Sequence, residues 1–105
     1  MNKVILSGNI GSIARNGNQA FMRVATKRLV KGEDEKFTPQ TTWHDVIAHG
    51  KQADNVEKAL KVGDVVQIDA YLSYGTAGSG DKVQNKTYVN VVTFELLSRK
   101  KAASE

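Results

Sequence analysis

The side chains best suited to chemistry lie close together in one segment, Thr42-Trp43-His44-Asp45-Val46-Ile47-Ala48-His49, which carries the only tryptophan and the only histidines of the chain. Its apolar and polar residues alternate as in a β-strand, which places His44 and His49 on opposite faces, where one metal ion cannot readily reach both. The chain has no cysteine, which excludes disulfides, thiolate metal sites and thiol nucleophiles. No local pattern suggests a Ser-His-Asp arrangement. The sequence therefore predicts a protein that is not an enzyme and needs no metal or cofactor.

A glycine-rich stretch, Gly75-Thr-Ala-Gly-Ser-Gly80-Asp81-Lys82, has the general look of a phosphate-binding loop. In such a loop, lysine and then serine or threonine follow the last glycine, and a helix begins there. Here Asp81 intervenes and a strand pattern follows, so the helix N-terminus that would hold a phosphate is missing. We expect a flexible hairpin loop instead.

The composition indicates a single small domain with a mild positive charge. The 105 residues carry 15 basic and 11 acidic groups, a formal net charge of +4, but Arg99, Lys100, Lys101 and Glu105 lie after the last apolar strand. We therefore expect a domain over residues 1–97 and a short polar, basic tail over residues 98–105. The first residues are too short an apolar run for a signal peptide, and no stretch approaches the roughly 20 apolar residues that span a bilayer. These features predict a soluble, cytoplasmic protein.

The periodicity of the chain predicts five strands and one helix. Strands are expected over residues 3–10, 20–27, 41–49, 65–72 and 86–97, with Gly8, Asn9 and Gly11 ending the first strand. An apolar stripe at helical spacing predicts the helix over residues 52–60, and charged or glycine-rich loops are expected over residues 31–38 and 74–81. One helix among five strands does not suit a doubly wound sheet, which needs a helix at each crossover. The order predicts a mainly β fold: a five-stranded oligonucleotide-binding barrel with a short helix between the third and fourth strands.

Aromatic and basic side chains are the candidates for binding. An indole on a strand can close a core, seal a subunit interface or stack on a nucleic-acid base, and the alternation around Trp43 leaves these roles open. Phe21 and Phe94 are expected in the core. The further stacking candidates are Tyr71, Tyr74 and Phe37, and the candidate phosphate-binding cations are Arg23, Lys27, Arg28, Lys51, Lys82 and Lys86. If the barrel gathers these cations on one side, they form a groove that follows a phosphate backbone.

Three segments together resemble bacterial and phage-type single-stranded-DNA-binding proteins of the tetramer-forming class. These are Asn2 to Gly11, Thr42 to Ala53 with Thr-Trp-His-Asp-Val-Ile and Gly-Lys-Gln-Ala, and Leu60 to Leu72. The resemblance covers nearly residues 2–97. It implies a homo-oligomeric barrel, a tetramer or alternatively a dimer, that binds single-stranded DNA on aromatic platforms without reading sequence, in replication, recombination or repair. It also implies that Trp43 stacks on bases and that His44 lies at a subunit interface.

Some positions depart from the best-known members of that family. Three aromatic residues of those members are replaced here: one by His49, one by Leu29 or Val30, and one by a residue at about Ala77. The chain therefore has fewer stacking platforms. The chain stops at Lys101-Ala-Ala-Ser-Glu105 without the acidic tip that recruits partner enzymes, which is typical of a phage- or mobile-element-encoded member or of a truncated chain. Two other functions remain open: a primosomal accessory protein of related fold, and an oligomeric interaction module whose Trp43 is buried. RNA remains an alternative ligand, since stacking platforms accept any base.

Overall fold

The computed structural model describes residues 1–77 and 80–99, without the side chains of Ala77 and Lys82. Residues 100–105 of the predicted tail lie outside it. The chain forms the strands β1 (Val4–Asn16), β2 (Gln19–Lys31) and β3 (Phe37–His49), the helix α1 (Lys51–Ala59), and the strands β4 (Val65–Ala77) and β5 (Gln84–Ser98), with one 3-10 turn at Gly80–Lys82. The strands close into a barrel in the order β1-β2-β3-β5-β4. The predicted five-stranded barrel with one helix between its third and fourth strands is confirmed.

The core of the barrel is built from alternate residues of the strands. On β2, Met22 and Val24 point inward and are almost fully buried, so Phe21, Arg23 and Ala25 lie on the outer side. Phe21 is half-buried on that side, and its predicted place in the core is wrong. The periodicity of β2 could not decide this, since both of its faces carry apolar residues. The largest fully buried side chains include Ile10, Met22, Val24, Val46, Val56, Val66 and Ile68.

The strands are longer than the sequence predicts. The first strand does not end at Gly11, because β1 continues to Asn16 through a bulge between Ile10 and Ser12. The charged loop predicted over residues 31–38 is reduced to residues 32–36, since Lys31 pairs with Phe37 and the pairing continues to Gln19 and His49. The predicted loop over residues 74–81 begins instead as a continuation of β4, which pairs with β5 as far as Ala77 and Gln84. Charge and glycine in these segments reflect exposure to water rather than a lack of strand pairing.

The helix α1 covers one part of the barrel between β3 and β4. Its Ala53 and Val56 are buried against the core. Arg15 of β1 fixes the outer side of the helix, because its guanidinium donates to Asp54 Oδ1 at 2.7 Å and to Glu57 Oε2 at 3.1 Å. The hydrogen bond to Asp54, followed by the charges of both carboxylates, raises the pKa of Arg15. In the part of the chain that the structure describes, no helix has the length and apolarity needed to cross a membrane.

The barrel closes where β3 meets β5. Among the described strands this is the only parallel pairing, and it comprises two residue pairs, Val46 with Val89 and Ile47 with Asn90. The closure brings the last strand beside the strand that carries Trp43. The outward side chains of β5 therefore extend the outer surface of β2 and β3.

Candidate nucleic-acid interface

One side of the barrel brings Trp43, Arg23 and Lys86 together from three different strands. We call it the outer face, and it consists of the outward side chains of β2 and β3 together with the adjoining Lys86–Asn90 stretch of β5. Its cross-strand pairs between β2 and β3 are Gln19 with His49, Phe21 with Ile47, Arg23 with Asp45, and Ala25 with Trp43. The face is therefore defined by strand register.

Trp43 lies on this outer face with 49% of its surface exposed, so it is not part of the barrel core. Its ring reaches across β2 to Gly11 of β1. A Cβ atom at Gly11 would lie 2.3 Å from the ring atom Cζ3 and 2.6 Å from Cη2, so only glycine leaves room for the indole in this position. The guanidinium carbon of Arg23 lies 5.3 Å from the ring centroid, within the range of a cation–π contact. The indole is thus held in place by the close approach of Gly11 to its six-membered ring and by the guanidinium of Arg23 over the ring.

Tyr88 of β5 is a second aromatic residue on the outer face, and it was not among the candidates predicted from the sequence. Its ring lies next to Gly75 of β4, where a Cβ atom would be 3.3 Å from Tyr88 Cε2. Lys86 Nζ lies 5.7 Å from the ring centroid. A sequence signal was available, because Lys86 and Tyr88 fall on one side of β5 by alternation. Which side faces Trp43 depends on the β3–β5 register.

Asp45 joins these two aromatic–cation units. Its Oδ1 lies 3.7 Å from Arg23 Nε and its Oδ2 lies 3.6 Å from Lys86 Nζ. The order along the face is Trp43, Arg23, Asp45, Lys86 and Tyr88, drawn from three strands. A single carboxylate thus stands at the centre of a surface otherwise suited to anions.

A polar cluster borders Tyr88 at the far end of the face. The side-chain nitrogen of Gln19 can only donate, so His49 Nδ1 is the acceptor of their contact at 3.4 Å. His49 Nε2 then donates to Asn90 Oδ1 at 3.3 Å. The amide nitrogen of Asn90 donates to Ser73 Oγ at 2.6 Å. This chain of donors and acceptors fixes the orientation of His49.

The other predicted stacking residues lie away from Trp43, at the ends of the outer face or beside it. Tyr74 is 75% exposed and borders the cavity beside His49. Phe37 is 62% exposed at the far end of β3, on the same side of that strand as Trp43. Tyr71 is exposed on the outward side of β4, two residues before Ser73.

The remaining predicted cations are only partly brought together. Lys27 is exposed on the outer face, where it pairs with Thr41, two residues before Trp43 on β3. Arg28 follows Lys27 and points to the opposite side of β2. Lys51 is exposed at the start of α1, just after β3 ends at His49. The side chain of Lys82 lies outside the described part of the structure.

The two histidines point in opposite directions, as the strand alternation predicts. His44 is half-buried on the side of β3 away from Trp43, with Nε2 2.8 Å from Thr26 Oγ1. Among the described residues, no group of three or more His, Cys, Asp or Glu side chains could hold a metal ion. The predicted role of His44 at a subunit interface stays a prediction.

A small closed barrel with an aromatic and cationic outer face is typical of oligonucleotide-binding folds. The sequence model of the Single-strand binding protein family matches residues 1–99. The chain belongs to that family, which confirms the resemblance seen in the sequence and the prediction that the protein is not an enzyme.

Individual relatives agree with this membership. Single-stranded DNA-binding protein 1 of Chlorobaculum tepidum is 31% identical over 91 residues, covering 78% of this chain and 56% of the relative. The chain thus spans just over half the length of that relative. Among solved structures, a Plasmodium falciparum SSB complex with ssDNA has a TM-score of 0.75 at 19% identity, covering 95% of this chain and 96% of the other. A small single-stranded DNA-binding protein from Streptomyces coelicolor has a TM-score of 0.66 at 19% identity, covering 90% and 92%. At such identities the solved structures show the shared fold.

Proposed function

We propose that this protein binds single-stranded DNA through its outer face, by stacking bases on aromatic rings and pairing phosphates with nearby cations, in replication, recombination or repair. The observation that carries the proposal is Trp43, whose indole is half exposed on the barrel surface and yet held in place by Gly11 and Arg23. Trp43 is not isolated, because the partly exposed rings of Phe21 and Tyr88 lie on the same face, and apolar surface gathered in one place marks a binding site. The proposal is supported by the family membership and by the relative from Chlorobaculum tepidum.

The two aromatic–cation units define how a strand would bind. Bases stacked on Trp43 and Tyr88 would each contribute about 1–3 kcal/mol, largely without regard to base identity. Arg23 and Lys86 stand beside these rings, so phosphates flanking a stacked base would meet a positive charge. Lys27 continues the positive charge along β2, and Tyr74 and Phe37 offer further rings toward either end of the face. Binding should weaken as salt rises, because each neutralised phosphate releases counterions.

We also propose that the protein acts as a cytoplasmic homo-oligomer with the His44 side of β3 at a subunit interface. The support is the family resemblance and the half-buried position of His44, which points away from the outer face. An oligomer built through that side would leave Trp43 accessible to DNA. A sedimentation measurement that returns a monomer would count against this part of the proposal.

The test is a titration with oligo(dT) in which the fluorescence of the single tryptophan is followed at several salt concentrations. We expect quenching on binding and an affinity that falls as salt rises. Trp43→Ala, followed by the anisotropy of labelled DNA, should weaken binding at least about fivefold, the lower limit for one stacked base. Leu97→Ala is a matched control, because Leu97 is also 49% exposed but lies near the far end of β5.

The outcomes separate the competing functions. Failure to bind both oligo(dT) and single-stranded DNA of mixed sequence would refute the proposal. If DNA binds without quenching the tryptophan fluorescence, and Trp43→Ala binds with the same affinity as the wild type, the bases stack on the tyrosines instead. Dissociation of the oligomer in Trp43→Ala would favour the interaction module instead.

A further inference from the structure

The carboxylate of Asp45 stands where a phosphate-binding surface should be positive. Its side chain is 43% exposed and sits between Arg23 and Lys86 on neighbouring strands. A carboxylate at this point repels the phosphates that the two cations attract. Non-specific backbone binding alone therefore gives no reason for an acid here, and another role has to account for it.

The hydrogen-bonding state of Asp45 indicates that role. Both of its ion pairs, at 3.7 Å and 3.6 Å, are longer than the usual limit of about 3.2 Å for an N–H···O bond. No hydrogen bond joins the Asp45 carboxylate to the described residues, whereas Asp54 is held at 2.7 Å by Arg15. Both oxygens of Asp45 thus keep acceptor capacity that a ligand can use. The cations beside it offset its repulsion of a bound strand.

The surroundings of Asp45 suit a flat aromatic ligand. Asp45 lines a cavity of about 180 Å³ together with Phe21, Tyr88, Arg23 and Lys86. Phe21 and Tyr88 supply apolar ring surface, while the carboxylate and the two cations supply the polar groups. The ring surfaces and the carboxylate thus line one cavity.

We propose that Asp45 accepts hydrogen bonds from the edge of a stacked base and so gives the protein a preference for guanine, and next for cytosine, over thymine. Guanine presents an N1–H and an N2 amino group side by side, which match the two oxygens of a carboxylate. Cytosine offers its N4 amino group, a recognised partner of Asp and Glu. Thymine has one N3–H, and it lies between two carbonyl oxygens. A carboxylate repels both of these oxygens. This inference rests on the proposed function, because the base must first be stacked on the outer face.

The test compares oligonucleotides whose composition repeats, so that the result does not depend on binding register. Oligo(dT) is compared with a TG repeat containing 7-deazaguanine, which cannot form quadruplexes, and with a TI repeat containing 7-deazahypoxanthine, which differs from 7-deazaguanine only by lacking the N2 amino group. We expect the wild-type protein to bind the TG repeat at least about fivefold more tightly than oligo(dT), the lower limit for a paired base edge. The TI repeat should fall between them. This comparison needs no variant.

Two variants assign the preference to one carboxylate. Asp45→Asn keeps the shape of the side chain but loses one acceptor and the charge, so the ratio of TG to oligo(dT) affinity should shrink toward one. Asp69→Asn is the matched control: it removes the same charge from a side chain that is 38% exposed and paired with Lys3 at 3.5 Å, on β4 away from the outer face. Its ratio should equal that of the wild type.

The possible results separate this inference from the proposed function. Equal affinity of the wild-type protein for all three oligonucleotides would overturn the inference alone. A uniform gain in affinity for Asp45→Asn with an unchanged ratio would also overturn it, because Asp45 would then only compete with phosphates for Arg23 and Lys86. Absence of binding to every oligonucleotide would overturn the proposed function and this inference with it.

Discussion

Replacing Gly11 with alanine should displace Trp43 without unfolding the barrel. The added Cβ would lie 2.3 Å from Cζ3 of the indole, whereas ordinary contacts begin at 3.4 Å. The ring must therefore move away from residue 11 until the separation grows from 2.3 Å toward 3.4 Å. Because Trp43 is 49% exposed, the ring can swing toward solvent rather than compress the core. That movement alters its stacking surface and its distance from Arg23.

The expected loss follows from what the fixed indole contributes. A stacked base is worth about 1–3 kcal/mol, so losing that platform would weaken binding about 5- to 150-fold. The free energy of unfolding should change by less than about 1 kcal/mol, because alanine at an unstrained position gains about 0.4–1 kcal/mol through the unfolded state while the clash is relieved at the surface. The assays are anisotropy with labelled oligo(dT), urea denaturation, and the emission spectrum of the single tryptophan. The spectrum should shift as the indole moves into water.

The same substitution in a Trp43→Phe protein tests whether the loss of DNA affinity in Gly11→Ala is caused by displacement of the indole. Phenylalanine lacks the Cζ3 and Cη2 atoms that Gly11 accommodates in this structure, so Gly11→Ala should cost little once Trp43→Phe is present. Such a double-mutant cycle isolates the interaction between the two sites. Unchanged DNA affinity and an unchanged emission spectrum in Gly11→Ala would refute the reasoning. An equal loss of affinity in both backgrounds would show that the strand, not the ring, had been disturbed.

Two further predictions concern the barrel itself. Ile68→Ala removes a fully buried side chain and should lower the free energy of unfolding, measured by urea denaturation, by about 2–5 kcal/mol. The affinity of the folded variant for DNA should be unchanged. A loss of stability below about 1 kcal/mol would mean that the core collapses around the gap. Arg15→Ala breaks the contacts with Asp54 and Glu57 and should lower the melting temperature at low salt. The difference should shrink at about 1 M salt, where charges are screened within about 3 Å, and an equal loss at both salts would indicate packing by the arginine stem instead.

The order of the elements could be predicted from the sequence because it depends on local signals. The stretch between the predicted first and second strands contains Asn16-Gly17, a pair typical of tight hairpin turns, and Gly17 adopts φ 59°. The stripe of Ala53 and Val56 identified the helix, whose observed bounds differ from the predicted ones by one residue at each end. Strand length was less accessible, because glycine and charged residues occur in exposed hairpins as well as in loops.

The arrangement of the outer face could not be predicted, because it depends on contacts between distant segments. The position of Trp43 requires Gly11, which the sequence indicated only as a strand end. Tyr88 and Asp45 become neighbours through the β3–β5 pairing, for which no local pattern gives the register. Tyr88 was therefore not predicted as a stacking platform. The ion pairs of Asp45 with Arg23 and Lys86 could not be predicted either, although Asp45 lies close to Trp43 in the sequence.

The short parallel seam between β3 and β5 also has a kinetic consequence. The antiparallel pairs β1–β2, β2–β3 and β4–β5 join consecutive strands, whereas the seam and the β1–β4 pairing join strands that are distant in the sequence, the seam through two residue pairs. Pairings between distant segments form late, because their loop-closure entropy must be met first. Trp43 and Tyr88 stand on either side of this seam. The binding surface would thus be completed late in folding, and a DNA strand bound to both rings would slow the opening of the barrel.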